Sequence, residues 1–451
     1  MSAHLKVSPP AAAFCAAAGG VCLFLTLFWS TQWTLGSGAV RLGVAVCLAA
    51  LAGLSLLLLF RHGFRGRALL LFLAPVGLAM FLRAACMDYV SYDFRDFLSV
   101  WAAFFRENGG FAAIRQDVGD YNVPYLYFMA AISYLPVPAL YAIKLFSIFF
   151  DVVLAWGGLR LAEVLAPGQD GKKAAAFLAL LLLPTVVLNG SYWAQCDALY
   201  GALVLHALAC ALGKRPAGSV VLLAVAFSFK LQTIFLLPLW GAFWLCRRVA
   251  FRHLWLFPLT YLATAVPALL LGKPLGDILG VYVQQAGQYT NKLAFNAPTI
   301  YALLPGSVEF PPETMDLLAK LGILAAFLLC LLVLFLLVLH REALTGSVWM
   351  AAALVLAVGV PYLLPYMHER YFFLADVIAA VWACTQLRRF PLAALVEVGS
   401  LASYAVYLRL KYNWICYAFG QYWVMAGESL VMLCALCAAV WTFFRLLSRP
   451  E

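Results

Sequence analysis

Between Met87 and Phe128 the chain carries Asp88, Asp93, Asp96, Asp117 and Asp120 with Arg95, Arg106 and Arg115, although charged residues make up only 11% of the protein. Further along, polar side chains interrupt apolar runs at Trp193-Ala194-Gln195-Cys196-Asp197, Phe229-Lys230-Leu231-Gln232 and Met367-His368-Glu369-Arg370-Tyr371. A carboxylate seated at the start of a rigid helix can take a proton from a hydroxyl, and a nearby cation can stabilise a phosphate leaving group. Together these residue types suit transfer of a sugar from a lipid phosphate, chemistry in which neither water nor a soluble nucleotide need enter. Asp93 is the candidate base and Asp120 the second candidate. His368, Arg370 and Lys230 are candidates for the phosphate, and Glu369, Gln195, Asp197, Tyr121 and Trp101 for the rest of the substrate.

Each of these positions also has a plainer reading. Phe97, Leu98, Trp101, Phe104 and Phe105 recur at helical spacing, which predicts an amphipathic helix in the membrane interface, with Asp93 as its N-cap and Asp96 as a partner of the helix dipole. Gly119-Asp120-Tyr121-Asn122-Val123-Pro124-Tyr125 reads as a turn followed by interfacial aromatics. Lys230 and Arg370 suit snorkelling, and His368 and Glu369 a local hydrogen bond or ion pair. A shared site explains the clusters together better than separate local roles do, because the charge rule puts them on one face of the membrane. No phosphate-binding glycine loop, dinucleotide fingerprint or zinc-ligand spacing occurs, and the outer loops lack a D-x-D pair. The expectation is therefore no metal and no cofactor, with the lipid-phosphate-linked sugar as co-substrate. The scattered His residues support no Ser-His-Asp constellation.

What must position these residues follows from composition. With 65% hydrophobic residues in 451 and a mean hydropathy of +0.94, the chain is a polytopic membrane protein. Hydrocarbon offers no hydrogen bonds to exposed backbone, and long unalternating runs such as 317–339 favour helices over a barrel. The net charge of +10 comes from basic residues in short loops rather than a basic tail, which is the positive-inside pattern and gives no reason to expect nucleic acid. The Cys residues are scattered through apolar segments, and Cys434 and Cys437 fall within one spanning run.

Arg61, Arg65 and Arg67 mark the turn of a first hairpin (1–66) as cytoplasmic, so the loop and re-entrant segment 87–136 lie outside. The apolar piece 123–135, closed by Pro136 and Pro138, is too short to cross and is expected to be re-entrant or interfacial. Residues 219–244 are expected as two short helices meeting outside at 228–232, because a single crossing would put Arg247, Arg248 and Arg252 on the wrong side. A second outer loop is expected at 272–316. Further spans are expected near 139–160, 174–188, 197–212, 255–271, 317–339, 346–363, 372–387, 392–409 and 421–445. The whole is an all-α integral membrane bundle of about fourteen spans, read as one polytopic domain, with both termini cytoplasmic. Polar material concentrated on one face speaks against a transporter or flippase of lipid-linked glycans, for which Lys144, Asp151, Asp376 and Glu397 would be the path-lining candidates. A ligase or polymerase of surface polysaccharide, using a pyrophosphate-linked glycan, shares the expected topology.

The motifs resemble the GT-C class of polytopic glycosyltransferases. More narrowly, they are similar to the dolichyl-phosphate-glucose glucosyltransferases of the asparagine-linked glycan pathway and to bacterial mannosyltransferases related to the GPI-anchor enzymes. Tyr92-Asp93-Phe94 with Trp101 resembles the acidic-aromatic motif of that group's first outer loop, which implies a base role for Asp93. Asp120-Tyr121-Asn122-Val123-Pro124 looks like an Asp-Tyr-Pro-Pro segment, Trp193 to Asp197 like His-Phe-Gln-Tyr-Asn, and Phe229 to Gln232 like Phe-Lys-Gln. His368-Glu369-Arg370 is similar to a His-Glu-Lys motif associated with the donor phosphate. The order of the motifs agrees with the family over nearly all of the chain after the first hairpin. One proline of the double proline is missing and Gln195 and Asp197 stand in a changed frame, departures that bear on donor sugar and acceptor more than on reaction class. The resemblance implies transfer of mannose or glucose, with inversion, from a polyprenyl-phosphate donor to a lipid-linked, polymeric or protein acceptor, on the extracytoplasmic face of a bacterial plasma membrane.

Overall fold

The computed structural model describes residues 7–288, 290–304, 310–408 and 413–448. Most of them are helical, and strands Ala294–Phe295 and Met367–His368 pair in parallel as a short bridge. Among the described residues, eight helices are long and apolar enough to cross a bilayer: Pro9–Gln32, Gly38–Arg61, Arg67–Cys86, Ala139–Leu165, Phe251–Leu270, Pro312–Leu339, Gly346–Leu363 and Tyr422–Ser448. A ninth candidate is the pair Asp170–Leu182 and Pro184–Tyr192, bent by 45°. The chain is thus an all-α, multi-pass membrane protein. Several other expected crossings are shorter helices, namely Asp197–Leu212, Pro216–Phe229 and Leu231–Leu245. At about 1.5 Å per residue, a helix of sixteen residues or fewer falls short of a hydrocarbon core roughly 30 Å thick. The short segment after the first loop is the ten-residue helix Val123–Ile132. The loop expected at 272–316 contains the helix Leu275–Gln288, and its residues 289 and 305–309 lie outside the described residues, as does Arg409 at the end of the expected span 392–409.

The chain forms two compact units, one of Met1–His206 with Thr264–Ile278 and the other of Ala207–Ala263 with Leu279–Glu451. In the first unit, helix Leu73–Cys86 delivers the chain into the acidic loop, and its exposed carbonyls need donors that hydrocarbon does not supply. Lys144, fully buried on helix Ala139–Leu165, donates to the carbonyls of Cys86, Met87 and Tyr89 at 2.8, 3.1 and 2.7 Å. Asp88 is tied in the same way, accepting from Tyr141 Oη at 2.6 Å and from the Thr34 hydroxyl at 2.8 Å. Burial pushes its carboxyl up, but the bonds from Tyr141 and Thr34 outweigh this and hold it below the usual range. One turn earlier, Arg83 Nε donates to Asp151 Oδ2 at 2.9 Å in a fully buried ion pair. Lys144 and Asp151, candidates for a transport path, therefore act together as anchors of the helix that leads into the loop.

In the second unit, helix Gly346–Leu363 is the central element, buried continuously from Ser347 to Tyr362. Helices Pro312–Leu339, Phe373–Thr385 and Tyr422–Ser448 pack around it. Asp376 accepts from Ser400 Oγ at 2.8 Å, which joins helices Phe373–Thr385 and Phe390–Leu408, and Glu397 is half-buried on the latter. The expected break near Lys230 is present: Pro216–Phe229 ends there, and a tight 3₁₀ turn, Leu231–Leu236, leads into helix Leu237–Leu245.

A buried ion pair broken on one side leaves an uncompensated charge, which typically costs about 3–5 kcal/mol. Asp151→Asn is therefore expected to lower the thermal unfolding temperature in detergent sharply, and the apolar pair Arg83→Met with Asp151→Leu to recover most of the loss. Equal destabilisation by the single and double variants would remove the ion pair from its anchoring role.

Candidate functional site

The helix carrying Asp93 begins at Ser91. Ser91 Oγ accepts from the Phe94 amide at 3.2 Å and donates to the Trp193 carbonyl at 2.7 Å. The predicted N-cap role of Asp93 thus falls to Ser91, two residues earlier, and Asp93 itself has right-handed helical backbone angles. Its carboxylate is released for other partners. Trp193 Nε1 donates to Asp93 Oδ2 at 2.9 Å and Gln195 Nε2 donates to the same oxygen at 2.5 Å, with Asp93 only 9% exposed. Asp96 turns away and pairs with exposed Arg95 at 2.7 Å; the hydrogen bond from Arg95 holds its carboxyl below the usual range.

Both segments that meet at Asp93 depart from regular α-helix. Phe94–Leu98 and Leu188–Tyr192 are π-helical turns, a widening that recurs at functional sites because it redirects side chains. The second turn is followed by Ala194 at φ 67°, left-handed for a residue with a Cβ, at a cost of about 1 kcal/mol. Bonds from the Trp193 amide to the Leu188 carbonyl at 2.8 Å and from the Gln195 amide to the Asn189 carbonyl at 2.9 Å hold this shape. Asp197, fully buried, accepts from Asn189 Nδ2 at 2.7 Å and returns a backbone bond to Asn189 Oδ1, fixing the start of helix Asp197–Leu212. Gly190 lies against Ser147 and Asp151, where a Cβ would come within 3.3 Å of both.

The loop before helix Val123–Ile132 supplies a third segment. Tyr121 Oη donates to Gln195 Oε1 at 3.2 Å, and the Tyr121 ring meets Trp101 edge-on with centroids 5.6 Å apart. Gly119, at φ +67°, touches the Trp101 indole so closely that a Cβ would sit 2.9 Å from it. Asn122 caps the helix through a 2.8 Å bond from the Val123 amide, and Asp120 lies half-buried on the loop between Gly119 and Tyr121. Of the residues singled out in the sequence, Asp93, Gln195, Tyr121 and Trp101 form one contact chain. Asp197 supports the turn from behind.

In the second unit, His368, Glu369, Arg370 and Lys230 form a charged cluster. The His368 ring stacks on Phe295 at 4.8 Å, where the two short strands pair. Left-handed backbone at Asn296 and Tyr366 brackets this bridge, and the Tyr366 amide bonds the Leu293 carbonyl at 2.8 Å. Glu369 is 1% exposed, with a carboxylate oxygen 4.0 Å from His368 Nδ1 and the other 4.0 Å from Arg370. Burial, then the charges of Arg370 and Lys230, push the His368 imidazole down to about 3. His368 is therefore a neutral hydrogen-bonding group at ordinary pH, and the cationic members of the cluster are Arg370 and Lys230. Lys230, 5% exposed, occupies the extended residue between the two short helices.

Ser91 and the two π-turns were not anticipated from the sequence. Ser91 carries an ordinary capping signal, a serine just before the first helical residue. The π-turns carry none, since their residues fit an α-helical period equally well. Comparison with protein-family models finds no match, and comparison with curated proteins finds none either.

A histidine held neutral in the folded state takes up its proton only on unfolding, so it opposes folding increasingly as pH falls below the ordinary value of 6.5 and towards 3. Its burden is absent above that range. Thermal unfolding is expected to show stability falling with pH in this window for the native protein, and a flatter dependence for His368→Gln. Parallel curves would place the titrating group elsewhere.

Proposed function

We propose that the chain is a GT-C-type hexosyltransferase, moving mannose or glucose from a polyprenyl-phosphate sugar to a lipid-linked, polymeric or protein acceptor. The observation that carries this reading is the Asp93 carboxylate, buried against Trp193 and Gln195 in a structure that departs from regular helix on both sides of it. A rigidly held carboxylate is what a general base requires.

In the proposed step, Asp93 takes the proton of the acceptor hydroxyl as that oxygen attacks the anomeric carbon. The bond from that carbon to the phosphate oxygen breaks, and polyprenyl phosphate leaves with the electron pair. A single displacement inverts the anomeric centre. Arg370 and Lys230 are assigned to the negative charge on the phosphate and neutral His368 to a hydrogen bond with it, while Asp120 is the alternative base. Glu369, 4.0 Å from both His368 and Arg370, is assigned to positioning them, and Tyr121 and Trp101 offer aromatic surface to the substrate. The bundle is proposed to have about fourteen spans: the eight long helices, the bent pair, and helices Asp197–Leu212, Pro216–Phe229, Leu231–Leu245, Phe373–Thr385 and Phe390–Leu408, of which all but the last are shorter than the hydrocarbon core and are proposed to cross where the bilayer is locally thinned. The proposed location is a bacterial plasma membrane, with the acidic loop on the extracytoplasmic face. The anchoring contacts of Lys144 and Asp151 favour this reading over transport, because these two of the four candidate path residues are engaged in holding the loop.

The test is transfer from synthetic polyprenyl-monophosphate sugars by the purified protein in lipid nanodiscs. Loss of a general base typically costs about 10²–10⁴-fold in rate, so Asp93→Asn is expected to fall by that amount while folding normally. Retained turnover would remove Asp93 from the role. Turnover with pyrophosphate-linked glycans alone would move the protein to the polysaccharide ligases.

A further inference from the structure

Between Asp197 and Asp277 the chain has no Asp or Glu, yet it carries Lys214, Arg215, Arg247, Arg248 and Arg252 at the ends of apolar helices. The charge rule that orients spans counts Lys and Arg and is nearly indifferent to carboxylates, so it does not account for their absence. Two of these cations also sit where glycine is usual. Helix Leu237–Leu245 ends with the Arg248 amide donating to the Phe243 carbonyl at 2.8 Å and the Arg247 amide to the Trp244 carbonyl at 2.9 Å, and Arg247 is left-handed at φ 60°. Helix Asp197–Leu212 closes similarly, with the Arg215 amide on the Cys210 carbonyl at 2.8 Å and Lys214 at φ 60°. A side chain is disfavoured at that position, and both helices keep a cation there.

Arg248 is used within the protein, donating to the Leu344 carbonyl at 3.4 Å and lying 5.6 Å from the Trp349 ring. Lys214, Arg215, Arg247 and Arg252 are exposed and, among the described residues, make no ion pair. Other basic turns have local acids: Lys173 meets Asp170 at 2.6 Å, and Arg341 meets Glu342 at 3.2 Å. Helix Phe251–Leu254 packs against helix Pro216–Phe229, which begins directly after Arg215, and both belong to the second unit. Exposed Trp244, Phe251 and Trp255 follow one another there, with ring centroids 5.7 and 6.4 Å apart.

We infer that these two turns form a binding site for the headgroup of an anionic phospholipid in the cytoplasmic leaflet. The headgroup phosphate takes charge-assisted bonds from Arg247 and Arg252, Lys214 and Arg215 add attraction, and the acyl chains lie along Trp244, Phe251 and Trp255. His253 Nδ1, on the same turn, is buried without a hydrogen-bond partner among the described residues, a lack that a lipid headgroup would make good. The exposed rings favour a lipid over a free phosphate, which has no apolar portion to cover them. The inference rests on the orientation given by the charge rule and is independent of the proposed reaction.

The test is native mass spectrometry of the full chain in detergent, titrated with phosphatidylglycerol or with phosphatidylcholine of matched acyl chains. One cation near an anionic headgroup changes binding about fivefold. Phosphatidylglycerol is expected to bind more tightly than phosphatidylcholine. Arg247→Gly and Arg252→Gln are each expected to weaken it about fivefold, and together about 25-fold, with phosphatidylcholine unmoved. Arg247→Gly supplies the residue its left-handed backbone favours, so its unfolding temperature without added lipid is expected to stay level or rise. Arg252→Gln decides the matter if Arg247→Gly does not fold. Arg65→Gln, on the turn of the first hairpin, is expected to leave binding unchanged. An equal loss in Arg65→Gln would reduce the effect to general charge, and undiminished binding in the folded variants would leave no site; either overturns the inference. Displacement of the lipid by glycerol phosphate at equal affinity also overturns it, in favour of a soluble phosphate.

Discussion

Backbone hydrogen bonding that hydrocarbon does not supply governs where this chain can leave the helix. Every departure needs a partner built into the protein, and the partners found here are specific side chains or backbone groups of a nearby segment. The end of helix Leu73–Cys86 is satisfied by the ammonium of Lys144, and the helix that follows the acidic loop's first turn is capped by Ser91. At Leu188–Tyr192 the chain widens into a π-turn whose freed amides reach back to Leu188 and Asn189. In the second unit, the exit from helix Gly346–Leu363 is stabilised by pairing with residues 293–296. Polar residues that are costly in an apolar chain therefore collect where the backbone is irregular.

These two demands separate the charged residues into those that hold the chain and those available for chemistry. Arg83, Asp88, Lys144 and Asp151 are engaged with backbone, hydroxyls or one another, and each anchors the entry to the loop. Asp93 differs in kind. Its bonds come from side chains on another segment rather than from the backbone it would cap, so they orient the carboxylate more than they support the helix. Ser91 makes that difference possible by taking over the capping role.

Much of this was legible in the sequence. Hydropathy gave the helical class, the short helix near 123–132, and the break at Lys230, where charge placement predicted two helices instead of one. The contact between Asp93 and the turn at Trp193–Gln195, a hundred residues away, was anticipated only as a shared face, since neither periodicity nor composition encodes a partner across that separation. The π-turns left no trace because one added residue in a turn preserves the apolar pattern. The Leu275–Gln288 helix was hidden for the opposite reason, its polar residues and flanking glycines resembling a loop. Burial was illegible too, which is why the choice between a hydrogen bond and an ion pair for His368 was not decided by its sequence neighbours.

That last point bears on how the cluster in the second unit can work. An imidazole within reach of two cations gains nothing from a third charge, and desolvation together with Arg370 and Lys230 drives it neutral. Neutrality leaves His368 with one donor and one acceptor nitrogen, a directional group stacked against Phe295. Arg370 and Lys230 differ from it and from each other, one a planar fork and the other a point charge. With Glu369 buried beside Arg370, part of the local positive charge is already balanced. In the proposed reaction the residual charge would meet the phosphate, and the neutral imidazole would give the site a directional hydrogen bond beside it.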